Sequence, residues 1–317
     1  MFLPTTIKEV RALGWDYIDV ILFTGDAYID HPAFGAAVIG RLLEAEGYRV
    51  AIVPQPNWRD DLRDFTKLGA PRLFFGVSAG AMDSMVNHYT ANIRLRSNDA
   101  YTAGGKAGFR PDYAATVYCQ ILKRLYPHVP VVVGGIEASL RRLTHYDYWS
   151  DRLKPSMLIE SGADLLIYGM GERVVQQVAK AMRNGYNAKL LRKINQVAFV
   201  ADSSYVERLD PATTKILHSF EECQQDKRAF GENFVEEELL SNVMEPTTTL
   251  VEQVGEEIVV KGNRCPRGLK SGREEFLGER VTVQGFVRNA SGEKLPVQTK
   301  LLLWTTVILL PPAHPFH

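Results

Sequence analysis

The sequence of 317 residues has neither an excess of one charge nor many cysteines, and both deficits exclude whole classes of protein. Lys+Arg and Asp+Glu both number 37, so no net field favours nucleic acid or an anionic membrane as a partner. The three cysteines, Cys119, Cys223 and Cys265, lie more than 40 residues apart, whereas a zinc or iron–sulfur site places at least two close together. We therefore expect isolated reduced thiols, with no metal site and no disulfide framework.

A long hydrophobic segment is also missing. The longest apolar run, Leu301–Leu310, has ten residues, and a transmembrane helix needs about 20. The amino terminus lacks a basic region followed by an apolar stretch, so we expect no signal peptide. With 45% hydrophobic and 23% charged residues, the composition is that of an ordinary globular protein, which we expect to be cytoplasmic.

Five short apolar runs have the β-branched and aromatic content typical of strands, and they show no period-2 alternation. This pattern fits strands buried on both faces, as in a parallel sheet. The runs are Ile18–Thr24, Val50–Pro54, Leu73–Ser78, Val129–Val133 and Asp164–Tyr168.

Segments with helical spacing of apolar residues lie between these runs, at Ala36–Gly47, Pro111–Tyr126 and Glu172–Gly185. Strands that alternate with helices form right-handed βαβ units. We therefore predict an α/β fold over residues 1–215, with a doubly wound, mostly parallel sheet of flavodoxin-like or cobalamin-binding-domain-like type. Because the alternation fades after residue 187, we predict that residues 216–317 form a linker or a divergent or truncated C-terminal region.

Four of the predicted strands are followed by glycine together with an acid or a hydroxyl. A doubly wound sheet places its ligand at the carboxyl ends of its strands, and glycine permits tight turns and close approach of the backbone to a ligand. We therefore predict loops that face a ligand or another domain, with no catalytic and no metal-ligating residue among them. The candidate residues are Gly25, Asp26, Asp30, His31, Ser78, Asp83, Gly134, Gly135, Glu137, Arg141, Arg142, Gly169, Gly171 and Glu172.

Two of the acidic candidates, Glu137 and Glu172, stand at predicted helix starts. A carboxylate there is stabilised by the helix dipole, so capping is one interpretation and contact with a ligand or partner is the other.

Two arginines follow the first of these helix starts. Arg141 and Arg142 could pair with Asp147 or Asp151, or they could bind substrate. A dense aromatic cluster comes next, and it indicates either core packing or a contact surface for another domain. Its members are His145, Tyr146, Tyr148 and Trp149.

Three stretches of the sequence carry a family likeness. They are Leu13–Gly35 (LGWDYIDVILFTGDAYIDHPAFG), Val131–Arg142 (VVVGGIEASLRR) with His145–Asp151 (HYDYWSD), and Asp164–Glu172 (DLLIYGMGE). Together they resemble the amino-terminal domain of the YgiQ family of radical-SAM proteins, over roughly residues 1–215. The resemblance implies that the full-length protein uses a [4Fe–4S] cluster and S-adenosylmethionine. It also implies a radical-SAM barrel as partner in the same polypeptide.

The cysteine run that this chemistry requires is absent from residues 1–317. Family members hold the cluster through Cys-x3-Cys-x2-Cys in the barrel that follows the region matched here, because the cluster needs anionic thiolates at short spacing. We therefore expect an accessory domain that covers or gates the barrel, holds no cofactor of its own and is not catalytic alone. Whether the C-terminus reflects truncation or a shifted reading frame is left open.

The chain is also similar to the cobalamin-binding domains that precede many radical-SAM barrels. Gly134-Gly135 and Gly169-Met-Gly-Glu172 match the turns after their fourth and fifth strands. Cobalt-ligating members have Asp-x-His-x-x-Gly in the first loop, whereas this chain has Asp30-His31-Pro32-Ala33-Phe34-Gly35. Since proline restricts the histidine before it, we expect His31 to donate a hydrogen bond that orders the loop, beside Asp26 or Asp30, and not to bind cobalt.

A function of a different class stays open, namely a stand-alone Rossmann-like module that binds cobalamin or a nucleotide-like ligand. A Rossmann dehydrogenase is disfavoured, because no Gly-x-Gly-x-x-Gly follows the first predicted strand. A small molecule is therefore a candidate partner of the loops, whereas nucleic acid and membrane are not.

Overall fold

The computed structural model describes residues 2–185, 191–192, 194–241 and 248–262, together with the backbone of 281–288 and 294–301. The chain divides into two compact units, Met1–Cys265 and Pro266–His317. All candidate site residues belong to the first unit.

Five strands of the first unit form the parallel part of its sheet. Their valine, isoleucine and phenylalanine side chains are buried on both faces, as the apolar runs predict. Each strand lies within two residues of its predicted ends. They are β1 (Val20–Thr24), β2 (Val50–Pro54), β3 (Phe74–Ser78), β4 (Val131–Gly134) and, after a separate hairpin of β5 (His145–Asp147) and β6 (Arg152–Lys154), β7 (Leu165–Ile167).

The parallel strands are adjacent in the order β2-β1-β3-β4-β7, which is the flavodoxin-like order 2-1-3-4-5. The predicted doubly wound α/β fold is thus confirmed.

Four further strands extend the same sheet beyond β7. They are β8 (Val197–Ala201), β9 (Thr214–Ile216), β10 (Thr249–Val254) and β11 (Glu257–Lys261), and they continue the order as β8-β11-β10-β9. β8 runs antiparallel to β7 and to β11, and β10 and β11 form an antiparallel hairpin. β9 pairs with β10 in parallel. The sheet therefore has strands on both sides of residue 215, the predicted domain boundary.

The described helices of the first unit are α1 (Ile7–Ala12), α2 (Gly35–Ala45), α3 (Arg63–Thr66), α4 (Ser84–His88), α5 (Ala114–Leu125), α6 (Ile136–Leu140), α7 (Met157–Ser161), α8 (Glu172–Arg183), α9 (Ser203–Val206), α10 (Phe220–Gln225) and α11 (Lys227–Ser241). They cover both faces of the parallel part of the sheet. Leu43 of α2 and Val178 of α8 pack on one face, with Leu22 and Phe74 of the strands. The opposite face is covered by α3, α5, α6 and α7.

The second unit is described only as a backbone hairpin of β12 (Val281–Arg288) and β13 (Lys294–Leu301), paired antiparallel. The apolar run Leu301–Leu310 lies outside the described residues except for its first position. Among the described helices, none is long and apolar enough to cross a membrane.

Candidate functional site

The loops after β1, β3, β4 and β7 meet at the carboxyl edge of the parallel strands, as their glycine-rich sequences predict. They surround a cleft of about 330 Å³ between α2 and α8, which we call the switch-point cleft. Its walls are largely apolar, and its mouth has glycine backbone and the polar side chains of Ser78 and Glu172. Representative wall residues are Leu22, Ile39, Phe74, Val132, Ile167 and Val175.

Glycines give this cleft its shape. A Cβ atom at Gly76, in the middle of β3, would lie 2.6 Å from Leu22 Cδ2, and one at Gly171 would lie 3.1 Å from Ile167 Cγ2. Gly135 and Gly169 have φ values of +89° and +67°, which side-chain-bearing residues rarely adopt. The candidate glycines after β4 and β7 therefore line the cleft with backbone.

Asp26, at the end of β1, is held in a tight buried contact. Its Oδ2 accepts the backbone N–H of Ala81 at 2.6 Å, and its Oδ1 lies 3.1 Å from Arg110 Nη1. A Cβ atom at Gly80 would lie 2.1 Å from Asp26 Oδ1, and one at Gly25 would lie 2.1 Å from the carbonyl oxygen of Ala79. Burial raises the pKa of Asp26, and the Ala81 N–H and Arg110 oppose the rise. This carboxylate orders the loops behind the cleft.

Arg110 anchors the long polar segment that follows β3. Its guanidinium is buried, donates to both carboxylate oxygens of Asp99 and donates to the carbonyl of Ala79 at 3.0 Å. The segment from Ser84 to Arg110 is thus held against the strand ends by an ion pair that the sequence does not reveal.

Glu137 lies at the start of α6 and is completely buried. Its carboxylate accepts the backbone N–H of Ser84 at 2.9 Å, the Ser84 hydroxyl at 2.5 Å and the backbone N–H of Ala115 at 3.0 Å. Burial raises its pKa, and Arg141 opposes the rise. The two N–H groups that Glu137 accepts lie in the first turns of α4 and α5. Its carboxylate therefore caps these two helices.

The arginines after α6 have other partners than those expected. Arg141 pairs with Asp83, the N-cap of α4, and Arg142 pairs with Glu237 of α11 at 2.7 Å. The expected pairing with Asp147 or Asp151 is wrong, since Asp147 accepts from Tyr113 and Ser150 and Asp151 accepts from Tyr146. Both arginines therefore connect the segment after α6 to elements that are distant in the sequence.

The first loop has its own polar contacts. Asp30 binds Arg41 through both carboxylate oxygens, and this guanidinium holds the pKa of Asp30 below its ordinary value. His31 Nδ1 accepts the backbone N–H of Ala33 at 3.1 Å. His31 therefore orders the loop as an acceptor, and the expected donation beside Asp26 or Asp30 is wrong.

A second depression, which we call the rim cleft, lies next to the carboxyl edge on the α5 face. It measures about 510 Å³ and is lined by side chains from α4, α6, β5 and α11. Four of its apolar side chains are 42–58% exposed: Val86, Leu140, Tyr146 and Phe234. The predicted aromatic cluster contributes to it through His145, Tyr146 and Trp149, while Tyr148 packs on Trp149.

The two cysteines in the described part of the chain do not fit an iron–sulfur cluster. Cys119 is buried in α5 and Cys223 in α10, and both are free. Burial raises the pKa of the Cys119 thiol strongly and that of Cys223 to about 11, so both are protonated at neutral pH, whereas cluster ligands are thiolates. Cys265 lies outside the described residues. Among the described residues no group of three His, Cys, Asp or Glu side chains is arranged to hold a metal ion.

The sequence matches the family described as Radical SAM N-terminal over residues 2–273. A UPF0313 protein of Porphyromonas gingivalis is 59% identical over 259 residues, which are 82% of this chain and 40% of that protein. UPF0313 proteins of Bacteroides thetaiotaomicron and Thermotoga maritima are 59% and 48% identical over 75% and 73% of this chain and 40% of each relative. The chain thus spans about 40% of the length of these relatives. No solved structure matches it.

Proposed function

The chain belongs to the radical SAM N-terminal family, and we propose that it is the accessory domain that covers or gates a radical-SAM catalytic barrel in the same protein. In such a protein the barrel would supply the [4Fe–4S] cluster and bind S-adenosylmethionine. Since the described cysteines do not fit a cluster, the role proposed for this chain is contact with the barrel and control of access to it.

The exposed apolar side chains of the rim cleft carry this proposal. Leu140 is 58% exposed, Phe234 55% and Tyr146 49%, and they come from three separate elements that meet at one cleft. Monomeric proteins rarely expose large contiguous apolar patches, and such patches mark contact surfaces. Burying apolar surface is favourable by roughly 25 cal/mol per Å², so a domain seated here would be stabilised by it.

Charged groups lie in the interior of the same cleft. Asp83, Arg141 and Glu252 are at most 5% exposed and line it together with Glu237. Because the matched relatives are about two and a half times longer than the matched region, a domain of the same polypeptide is the occupant we propose.

Hydroxyl-radical footprinting tests the proposal. Residues 2–273 of this chain would replace the matching region of the P. gingivalis relative, and side-chain oxidation would be compared between this chimera and the isolated 317-residue chain. We expect Tyr146 and Phe234 to be oxidised several-fold more slowly in the chimera, because the barrel covers them.

Tyr17 provides the internal control. It is 38% exposed and precedes β1, at the opposite edge of the sheet, so its oxidation rate should be the same in both proteins. Equal rates for Tyr146 and Phe234 in both proteins would show that the barrel does not dock on the rim cleft.

The switch-point cleft favours a second function, binding of a small molecule by the strand-end loops. It has a ligand-sized volume and lies where doubly wound sheets bind ligands. Thermal-shift measurements with cobalamins, nucleotides and S-adenosylmethionine test it. A shift with one of them supports binding, and no shift with any of them opposes it.

A further inference from the structure

We propose that the switch-point cleft binds the nucleoside part of a ligand, with a flat nitrogen heterocycle between α2 and α8 and the ribose at the mouth. This inference rests on the second function proposed above, small-molecule binding, and names the chemical class of the ligand.

The position of the cleft follows from the strand order. α2 leaves β1 over one face of the sheet, whereas the helices that follow β2 and β3 lie on the other face. On the α2 face, the carboxyl ends of β3 and β4 are therefore left without a helix of their own. Ligands of doubly wound sheets bind at this reversal of strand order.

The walls suit a flat ring. Gly76 and Gly134 line the cleft with backbone, and the Leu22 side chain occupies the place that a Cβ atom at Gly76 would need, since that atom would lie 2.6 Å from Leu22 Cδ2. The remaining walls are aliphatic or aromatic side chains, among them Ile39 of α2 and Val175 of α8. A planar heterocycle can stack on peptide planes and still bury its edges against these apolar groups.

The volume limits what can enter. About 330 Å³ is at the lower end of the range for ligand pockets, roughly 300–1,000 Å³. A two-ring heterocycle with its sugar matches this space, whereas a corrin macrocycle is too large to enter it.

The mouth has polar groups placed for a sugar. Glu172 stands in the first turn of α8 and lines the cleft, and a carboxylate can accept hydrogen bonds from ribose hydroxyls. Ser78 adds a hydroxyl at the end of β3. Among the described residues, no side chain caps the first turn of α2 at Gly35 and Ala36, so its N–H groups favour an oxygen-rich or anionic group beside the ribose.

Two kinds of molecule carry a nucleoside of this form. One is an adenine nucleoside such as S-adenosylmethionine or adenosine, and the other is the nucleotide tail of a cobalamin. The shared chemistry is a nitrogen heterocycle joined to ribose, and the experiment separates the two sources.

Isothermal titration of the full chain tests the inference with four probes: adenosine, S-adenosylmethionine, hydroxocobalamin and cobinamide, which has the corrin ring without the nucleotide tail. We expect saturable binding of adenosine and S-adenosylmethionine, or of hydroxocobalamin, and none of cobinamide. The first result identifies an adenine nucleoside as the source, and the second identifies the cobalamin tail.

Matched variants locate the binding. Ala36→Phe places a ring inside the cleft and should weaken binding at least about tenfold, whereas Ala45→Phe, at the exposed end of the same helix, should leave it unchanged. Ala33→Phe, in the exposed loop at the mouth, serves as a second variant should Ala36→Phe fail to fold. Equal affinity of the wild type and of Ala33→Phe or a folded Ala36→Phe would overturn the inference.

An apolar fluorescent dye tests small-molecule binding separately from the assignment of a nucleoside as the ligand. In one outcome the dye binds the wild type, fails to bind a folded cleft-filling variant and is not displaced by any nucleoside. This outcome would support small-molecule binding and overturn the nucleoside assignment. Binding of cobinamide as tight as that of hydroxocobalamin would also overturn it. Failure of both dye and nucleosides to bind would refute the second proposed function itself.

Discussion

Replacement of Glu137 by alanine tests whether the buried carboxylate joins the helices behind the rim. Glu137 receives hydrogen bonds from the backbone N–H groups of Ser84 and Ala115 and from the Ser84 hydroxyl. Alanine offers none of these donors an acceptor, and the completely buried position keeps them away from bulk solvent.

The expected magnitude follows from the donors left behind. A buried N–H without an acceptor costs about 1–3 kcal/mol, and two are left by Glu137→Ala, so the sum is roughly 2–6 kcal/mol. The variant also removes a carboxylate whose pKa burial raises, which offsets part of the loss. We expect a net loss of about 3–5 kcal/mol for Glu137→Ala and about 1–2 kcal/mol for Glu137→Gln, which keeps one acceptor oxygen.

Urea unfolding followed by circular dichroism measures these differences. Exposed Glu207 provides the control, since Glu207→Ala should change the free energy of unfolding by less than about 0.5 kcal/mol. A loss below about 1 kcal/mol for Glu137→Ala would refute the reasoning, because it would mean that the two N–H groups find other acceptors.

Three further predictions concern pH, packing and iron. Burial raises the pKa of Glu252 from 4.5 to about 7, so its stabilising effect is complete below about pH 4.5 and is lost as the pH rises towards 7. Relative to Glu252→Gln, the wild type should lose on the order of 3 kcal/mol of unfolding free energy in urea titrations between about pH 5 and 8, and parallel pH profiles would contradict this. Gly80→Ala should destabilise the fold by about 2–4 kcal/mol, because the new Cβ would collide with Asp26 and the residue has a φ of +117°. Gly35→Ala is the control and should not destabilise it, since no described atom lies within 4 Å of the Cβ position. Equal melting temperatures of the two variants would contradict the tight contact at Gly80. Anaerobic reconstitution with iron and sulfide should leave the isolated chain without a stoichiometric cluster. One cluster per chain in metal analysis would contradict the assignment of its cysteines as isolated thiols.

The parallel half of the fold could be predicted because its signals are local. Runs such as Val50–Pro54 are apolar throughout, and the helix starting at Glu172 ends at Asn184-Gly185, so strand and helix positions are legible in the sequence. The strands β8 to β11 were not predicted, because they are short and their sequences give no clear periodic signal.

The candidate site was predicted in outline and not in its contacts. The glycines after β4 and β7 predict the cleft, because glycine at a strand end permits tight turns and close approach of the backbone to a ligand. Arg110 and the partners of Arg141 were missed, since Asp83 is 58 residues away from Arg141 along the chain and no local pattern links them. Gly76, inside an apolar run, was likewise missed, although a glycine within a buried strand signals close approach.

The crystal structure of the chimera with the P. gingivalis relative would test the central claim most directly. We predict that Leu140, Tyr146 and Phe234 are buried against the barrel, in a contact of about 600–1,500 Å² as is usual between domains of one chain. A structure in which these side chains face solvent, with the barrel seated elsewhere on the domain, would contradict the account.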